Sequence, residues 1–195
     1  MLKNVSFLGL GVMGFPMAGY LAKAGFSTCV YNRTASKADD WQKQQPSTAH
    51  TSTASTPALA VADAQIVCMC LGNDDDVRSV VYGDDGVLAN MPAGGILIDH
   101  TTGSQTLALE LAQACRARNI GFIDAPVSGG QAGAENGQLT IMCGANAEDY
   151  KCAKPVLDVY SRHHQLLGDV GAGQLAKMMN QICIAGIVQG LSEAL

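Results

Sequence analysis

The stretch Asn4-Val5-Ser6-Phe7-Leu8-Gly9-Leu10-Gly11-Val12-Met13-Gly14 decides the fold of this chain. An apolar run typical of a buried strand leads into the pattern G-x-G-x-x-G, and a helix-compatible segment, 15–24, follows. In such a unit the first glycine permits a tight turn, the second lets backbone approach a pyrophosphate and the third lets helix pack on strand. The pattern therefore favours a dinucleotide site over a plain structural turn. We expect the cofactor to contact Gly9, Leu10, Gly11, Val12, Met13 and Gly14.

Composition narrows the class of protein. The chain has 195 residues, of which 48% are apolar and 15% charged, as in a globular protein rather than a disordered one. The net charge is −5 without a basic cluster, so no nucleic-acid surface is expected. The apolar segments are too short or too interrupted to span a bilayer, and a strand at the N-terminus leaves no room for a signal peptide. We therefore expect no membrane partner and a cytoplasmic location. Seven cysteines and four scattered histidines lack the spacing of a metal site.

Strand-like and helix-like segments alternate along the chain. This order predicts an α/β fold, a Rossmann-type doubly wound and mostly parallel sheet. Predicted strands are 4–8, 27–31, 65–71, 95–99, 121–124, 139–143 and 165–167. Predicted helices are 15–24, 35–45, 57–63, 73–81, 104–118, 147–160 and 173–195. Segment 46–57 is expected to be connecting structure, and His163 and His164 to be surface or strand-edge residues.

The last predicted helix, 173–195, is apolar around most of its circumference. Such a helix is stable only when it is buried on nearly all sides. Either another subunit covers it, which predicts a homo-oligomer through this helix, or the natural protein continues beyond it.

The residues after the second predicted strand bear on cofactor choice. An NAD site usually carries Asp or Glu there, about 20 residues past the glycines, to bond the ribose 2′-hydroxyl. This chain has Asn32-Arg33-Thr34 instead. A carboxylate would repel a 2′-phosphate, whereas an arginine between two small hydrogen-bonding side chains would hold one. We expect NADP(H) to be preferred and NAD(H) to be the second choice, unless Arg33 is only a solvated residue in a turn.

A second polar stretch follows the strand that ends at Asp124. Ser128, Gly129 and Gly130 come directly after a proline-containing segment. Two successive glycines can turn their N–H groups toward one oxyanion, and Ser128 adds a hydroxyl donor. A small carboxylate substrate suits this arrangement, although an ordinary glycine turn explains the stretch equally well.

A third polar pair lies on the last helix. Lys177 and Asn180 stand three residues apart and therefore share one face of an otherwise apolar helix. A lysine is rarely buried without a partner or a purpose. Taken alone, however, a lysine that reaches solvent from the first turns of the helix is the more common case.

Together these stretches resemble the β-hydroxyacid dehydrogenase family, which includes 3-hydroxyisobutyrate dehydrogenases, tartronate semialdehyde reductases and glyoxylate/succinic semialdehyde reductases. Four motifs in the right order carry the resemblance across the whole chain. They are Phe7 to Ala18 (cofactor signature), Asp99-His100-Thr101-Thr102 (beside the nicotinamide), Asp124 to Gly130 with Gly137-Gln138-Leu139-Thr140 (substrate signature) and Gly171-x-Gly173-x-x-x-Lys177-x-x-Asn180 (catalytic signature). Gly72 and Gln181 depart from the pattern, since a proline and a second asparagine are usual there.

The resemblance implies roles. Lys177 would be the catalytic acid/base, and Asn180, Ser128, Gly129 and Gly130 would hold the substrate. Leu71 and Thr102 would join Asn32, Arg33 and Thr34 in binding the cofactor. Residues 1–168 would form the dinucleotide-binding domain, and 169–195 the first long helix of an otherwise absent all-helical domain.

The implied activity is hydride transfer between NADP(H) or NAD(H) and a small 3-hydroxy or semialdehyde acid. Lys177 argues against the related imine reductases, which generally have another residue at this position. The alternative is a non-catalytic dinucleotide-binding fragment or sensor module that lacks the substrate-closing domain.

Overall fold

A sheet of nine strands, flanked by helices on both faces, organises the described part of the chain. The structure is a computed structural model and describes residues 4–195. Its strands are β1 (Asn4–Leu8), β2 (Ser27–Tyr31), β3 (Thr51–Ala54), β4 (Ile66–Met69), β5 (Ile96–Asp99), β6 (Gly121–Asp124), β7 (Val127–Ser128), β8 (Leu139–Gly144) and β9 (Ser161–Gly168). Its helices are α1 (Gly14–Lys23), α2 (Ala35–Lys43), α3 (Pro57–Val61), α4 (Asp74–Val81), α5 (Val87–Asn90), α6 (Gln105–Ala117), α7 (Gly130–Glu135), α8 (Ala147–Tyr160) and α9 (Ala172–Ala194).

The strand order confirms the predicted fold class. Along the sheet the order is β3-β2-β1-β4-β5-β6-β8-β7, and β9 also pairs with β8. Strands β1 to β6 run parallel, whereas β8 is antiparallel to β6 and β7. The order reverses at β1, which has β2 on one side and β4 on the other. In a doubly wound sheet, a crevice that binds ligands opens at the carboxyl ends of the strands at this reversal point.

Burial on both faces of the sheet explains why its central strands are apolar throughout. In β4, Ile66 and Cys68 enter one core, while Val67 and Met69 enter the other. Helices α1, α2, α7 and α8 cover the first face. Helices α3, α4, α5 and α6 cover the second. Parallel strands enclosed in this way have continuous apolar runs, which is the pattern that made them recognisable in the sequence.

Several elements differ from those predicted. The segment 46–57, expected to be connecting structure, contains the edge strand β3. Helices α5 and α7 and the short strand β7 were not predicted, and β9 spans eight residues instead of three. His163 and His164 both lie in β9, which pairs only with β8 among the described residues, so they are strand-edge residues as expected. The side chain of His164 is nevertheless only 6% exposed. It contacts the Tyr150 hydroxyl at 2.8 Å and the Asp158 carboxylate at 2.9 Å. His163 is exposed, as expected.

Helix α9 is anchored at its start and uncovered beyond it. Gly173 and Gln174 are its buried residues. Further along, Met179 is 68% exposed and Ile187 69% exposed. The described chain therefore does not supply the cover that this apolar helix was predicted to need. Within residues 4–195, no helix combines the length and the apolar character needed to cross a membrane.

Two glycines of the opening turn make a matched test of packing. A Cβ at Gly14 would overlap the carbonyl oxygen of Gly9 and lie 2.8 Å from Cε1 of Phe7, whereas a Cβ at Gly11 would meet open space. We expect Gly14→Ala to lower the free energy of unfolding by about 1–3 kcal/mol, the usual cost of overpacking. Gly11→Ala, the control, should change it far less. Urea denaturation of both variants measures this, and equal losses would contradict the packing argument.

Candidate functional site

The opening glycine turn is held in place from the end of β2. The backbone N–H of Gly9 donates to the carbonyl of Tyr31 at 2.9 Å. The N–H of Leu10 donates to Oδ1 of Asn32 at 2.9 Å, and Nδ2 of Asn32 donates to the carbonyl of Thr34 at 3.0 Å. Gly9 itself has φ +94°, a left-handed conformation that favours glycine. The side chain of Asn32 therefore fixes the turn, in addition to any contact with a ligand.

A cleft of about 820 Å³ opens beside this turn, at the reversal point of the sheet. Nine of the eleven predicted cofactor residues line it: Gly9, Gly11, Val12, Met13, Gly14, Asn32, Arg33, Thr34 and Leu71. The Leu10 side chain is 2% exposed and packs into the core beneath the turn. Thr102 is exposed on the loop after β5. The cleft therefore gathers residues from the ends of β1, β2 and β4, three separate segments of the chain.

Charged groups face each other across the cleft. Nη1 of Arg33 lies 3.1 Å from Oδ1 of Asp76, in the first turn of α4. The Arg33 side chain is 84% exposed and that of Asp76 31%. Lys37, in the first turn of α2, also lines the cleft. Ion pairs this exposed contribute little to stability, so both cations remain available to an anionic ligand.

Asp124 anchors α9 to the carboxyl edge of the sheet. This residue ends β6 and is 0% exposed. Its Oδ1 accepts from the N–H of Gly171 at 2.7 Å, and its Oδ2 from the N–H of Gln174 at 2.8 Å. Burial raises the pKa of Asp124 to about 6, although bonds from backbone N–H groups oppose this shift. A carboxylate at a helix N-terminus also interacts favourably with the helix dipole.

Gln174 ties the same turn of α9 to the loop after β5. Its Oε1 accepts from the N–H of Gly103 at 3.1 Å, and its Nε2 donates to the carbonyl of Thr101 at 2.7 Å. Both Gln174 and Thr101 are buried. The start of α9 is therefore joined to the ends of both β5 and β6.

Lys177 and Asn180 lie on α9 just after this anchored turn, and both are half-buried. Burial lowers the pKa of Lys177 from its usual value. Within residues 4–195, Nδ2 of Asn180 is buried and has no hydrogen-bond partner. An unpaired buried N–H₂ is costly, so it marks a place where a ligand oxygen would be stabilising.

Strand β8 brings the second polar stretch toward α9. Ser128 in β7 pairs with Thr140 in β8. Two residues further along β8, the carbonyl oxygen of Met142 lies where a Cβ at Gly173 of α9 would be, so the strand and the helix approach closely. Gly129 and Gly130 have φ +129° and +59°, and both are exposed at the start of α7. The predicted glycine turn is therefore present. The six-residue helix α7 that begins there was not predicted, because glycines disfavour a helix.

Comparison of the sequence with known protein families identifies the family of this chain. Residues 4–171 match the family described as the NAD binding domain of 6-phosphogluconate dehydrogenase. The chain belongs to this family. The fold and the resemblance predicted from the four motifs are thereby confirmed, because relatives named 3-hydroxyisobutyrate dehydrogenase are among those that match.

Three relatives illustrate what this NAD-binding domain is similar to. An uncharacterized oxidoreductase of Shewanella frigidimarina is 55% identical over 100% of this chain and 65% of its own length. An NAD-dependent L-serine dehydrogenase of Pseudomonas aeruginosa is 36% identical over 100% and 63%. A structure of Mycobacterium tuberculosis 3-hydroxyisobutyrate dehydrogenase with L-serine has a TM-score of 0.90 and 31% identity, over 100% and 64%. The chain spans 56% to 66% of the length of the curated relatives it matches.

Sequence patterns missed several residues of the NAD-binding domain that line its cleft. They come from α2, from the loop after β3, from α4 and from the residue that follows α4: Lys37, Ser55, Thr56, Asp76, Ser79 and Tyr82. Lys37 had a local signal, since it stands four residues after Arg33 at the start of a predicted helix. For Asp76 the local sequence pattern was misleading, because the helix dipole alone is enough to explain an acid in the first turn of a helix.

His100, which directly follows β5, is a buried structural residue. Its Nδ1 lies 2.7 Å from the carbonyl of Ala125, which can only accept, so Nδ1 carries the proton. Its Nε2 then accepts from the Tyr160 hydroxyl at 2.9 Å. Burial lowers the pKa of His100 to about 4, which keeps the ring neutral in this arrangement.

Asp99, which precedes His100, gives a pH-dependent prediction. Burial raises its pKa to about 7, against about 3.9 for an unfolded chain. Between these values the folded state binds more protons than the unfolded state, so this group lowers stability as pH rises to 7. In Asp99→Asn that loss is absent. We expect the free energy of unfolding of Asp99→Asn, relative to that of the wild type, to increase by about 2–3 kcal/mol between pH 5 and pH 8.

Urea denaturation of both proteins at the two pH values measures this difference. Asp39→Asn, which removes an exposed acid from α2, controls for the change in net charge. A difference between wild type and Asp99→Asn that stays constant with pH would contradict the prediction.

Proposed function

We propose that the chain is the cofactor-binding part of an oxidoreductase that transfers hydride between NADP(H), or NAD(H), and a small 3-hydroxy or semialdehyde acid. In this proposal Lys177 is the acid/base. Ser128, Gly129, Gly130 and Asn180 hold the carboxylate-bearing substrate.

The anchoring of α9 carries this proposal. Asp124 and Gln174 fix the first turn of α9 to the ends of β6 and β5, so Lys177 stands one helical turn from a rigid support. A catalytic group needs this kind of fixed position, because effective acid/base catalysis depends on geometry first. The same carboxyl edge of the sheet carries the glycine turn and its cleft.

The cleft fits a dinucleotide. Open space at Gly11 leaves room for a pyrophosphate against the backbone, where the N-terminus of α1 favours negative charge. Arg33, Thr34 and Lys37 at the far side suit the 2′-phosphate of NADP(H). These residues support NADP(H) as the preferred cofactor, and the NAD-dependent relative keeps NAD(H) as the second choice.

The residues of this chain supply proton transfer and orientation. The bound nicotinamide supplies the hydride chemistry. When the substrate carbonyl is reduced, protonated Lys177 polarises the oxygen and donates a proton to it. When the alcohol is oxidised, neutral Lys177 accepts that proton, and the lowering of its pKa by burial makes this form more accessible. Preference for NADP(H) favours the reductive direction.

We also propose that residues 1–168 form the dinucleotide-binding domain and that 169–195 begin an all-helical domain. The exposed apolar residues of α9 and the greater length of the relatives support this division. A homo-oligomer formed through α9 would cover the same residues. A second candidate function is a non-catalytic dinucleotide-binding module or sensor. The same exposure favours it, because the described residues leave the region around Lys177 open to water instead of enclosing a substrate there.

Turnover separates these candidates. NADPH oxidation would be followed by its absorbance with glyoxylate, succinic semialdehyde, tartronate semialdehyde and methylmalonate semialdehyde. L-Serine and 3-hydroxyisobutyrate with NAD⁺ test the reverse direction. The 195-residue chain and a chain extended to the length of its relatives would be compared. Turnover in the longer chain supports the enzyme, whereas cofactor binding without turnover in both supports the module.

Arg33 should discriminate between the two cofactors. We expect Arg33→Ala to weaken NADPH binding by about 1.5–3 kcal/mol, the value of a lost charge-assisted bond, and NADH binding much less. Calorimetric titration of the 195-residue chain measures both. Arg118→Ala is the control, because Arg118 follows α6 and bonds the carbonyl of Ala89 instead. Equal losses for NADPH and NADH would reject the assignment of Arg33.

Lys177 should be needed for chemistry and not for cofactor binding. In the complete enzyme, we expect Lys177→Ala to lower kcat by about 10²–10⁴-fold, the usual contribution of a general acid or base. The dissociation constant for NADPH should stay nearly unchanged. Lys154→Ala, which removes an exposed lysine paired with Asp158 at 2.8 Å, should leave both quantities intact. A Lys177→Ala enzyme that keeps most of its kcat would show that another group does the proton transfer.

A further inference from the structure

The cleft holds an acid close to the place where the proposed function puts the adenosine ribose. Asp76 lies in the first turn of α4, and its Oδ1 is 3.1 Å from Nη1 of Arg33. Its backbone is fixed, because its N–H donates to Oδ1 of Asn73 at 2.9 Å and its carbonyl accepts from Ser79 Oγ at 2.7 Å. The carboxylate therefore projects from a rigid helix turn into the cleft.

The absence of a side chain at Gly72 leaves space for the Asp76 carboxylate. A Cβ at position 72 would lie 2.5 Å from Oδ2 of Asp76, which is inside van der Waals contact. Any other residue there would make the carboxylate turn away. Gly72 is also one of the two positions where the chain departs from the sequence pattern of the family it resembles. The glycine and the acid are therefore structurally coupled, and together they place a negative charge beside Arg33.

This placement affects the two cofactors in opposite ways. A 2′-phosphate drawn to Arg33 also approaches Asp76, and the two negative charges repel each other. A ribose 2′-hydroxyl, in contrast, can donate a hydrogen bond to a carboxylate, which is how NAD sites commonly recognise the ribose. In those sites the acid follows the second strand, a position that Asn32-Arg33-Thr34 occupies here. In this chain an acid reaches the same region from α4.

We propose that Asp76 is a cofactor-specificity residue that opposes Arg33, favouring the free ribose of NAD(H) and disfavouring the 2′-phosphate of NADP(H). Asp76 thereby weakens the preference for NADP(H) that Arg33 confers, so that NAD(H) remains the second cofactor. This inference rests on the proposed function, since it requires the cleft to bind the dinucleotide with its adenosine ribose at Arg33.

Titration calorimetry of the 195-residue chain with NADPH and with NADH tests the proposal. We expect Asp76→Asn to tighten NADPH binding by about 2–5-fold, the effect of one partly exposed charge pair, and to weaken NADH binding by a similar factor. Asp75→Asn is the matched control. Asp75 directly precedes Asp76 in α4, its side chain is 97% exposed and it pairs with Arg78 at 3.6 Å, so this variant reports the effect of net charge alone.

Gly72→Ala gives a second variant that keeps the charge. It displaces the Asp76 carboxylate instead of neutralising it, so the ratio of the NADPH and NADH dissociation constants should shift in the same direction as in Asp76→Asn. In an Arg33→Ala background, Asp76→Asn should still weaken NADH binding, because the ribose contact does not need the arginine.

The outcomes separate this proposal from the proposed function. If both cofactors bind but Asp76→Asn changes their ratio no more than Asp75→Asn does, the role of Asp76 is overturned and the dinucleotide site stands. If the wild-type chain binds neither cofactor, the proposed function fails, and the role of Asp76 fails with it.

Discussion

The contact on which this structure depends most is the one between the Asp124 carboxylate and the first turn of α9. Both oxygens accept backbone N–H groups, at 2.7 and 2.8 Å, in a site closed to solvent. Removing a carboxylate from water is costly unless hydrogen bonds replace the lost hydration. Here the replacement comes from the N–H groups at a helix N-terminus, which would otherwise lack partners. Gly173 lets the helix come this close, because a Cβ there would lie 2.6 Å from the Asp124 carbonyl.

This contact fixes the position of α9 relative to the glycine turn that follows β1. Asp124 ends β6, and β6 is hydrogen-bonded through β5 and β4 to β1, which leads into the glycine turn. Gln174 adds a second connection from α9 to the loop after β5. The sheet is rigid because its central strands are buried on both faces. The position of Lys177 relative to the cleft is therefore set by strand pairing and by one buried carboxylate.

Local sequence signals predicted the elements and missed the contacts between them. The glycine turn and the apolar strands were recognisable because each depends on neighbouring residues. Strand β3 was missed because it is a polar edge strand, Thr51–Ala54, that pairs only with β2 among the described residues. The anchoring by Asp124 joins residues 47 and 50 positions apart, and no local pattern reports such a contact. Asp76 lies in the first turn of α4, and its position beside Arg33 depends on how α4 packs on the sheet, which no local pattern reports.

Burial decides what each acid of this edge can do. Asp99 and Asp124 are enclosed, their pKa values are raised by burial, and each is held by backbone N–H groups, so each serves to position a loop or a helix. Asp76 is partly exposed, and the charged side chain that it contacts, Arg33, is 84% exposed. A ligand can compete for that contact at little cost, whereas it cannot displace a buried bond. A group that selects between two cofactors must respond to which one is bound, and of these three acids only Asp76 is placed to do so.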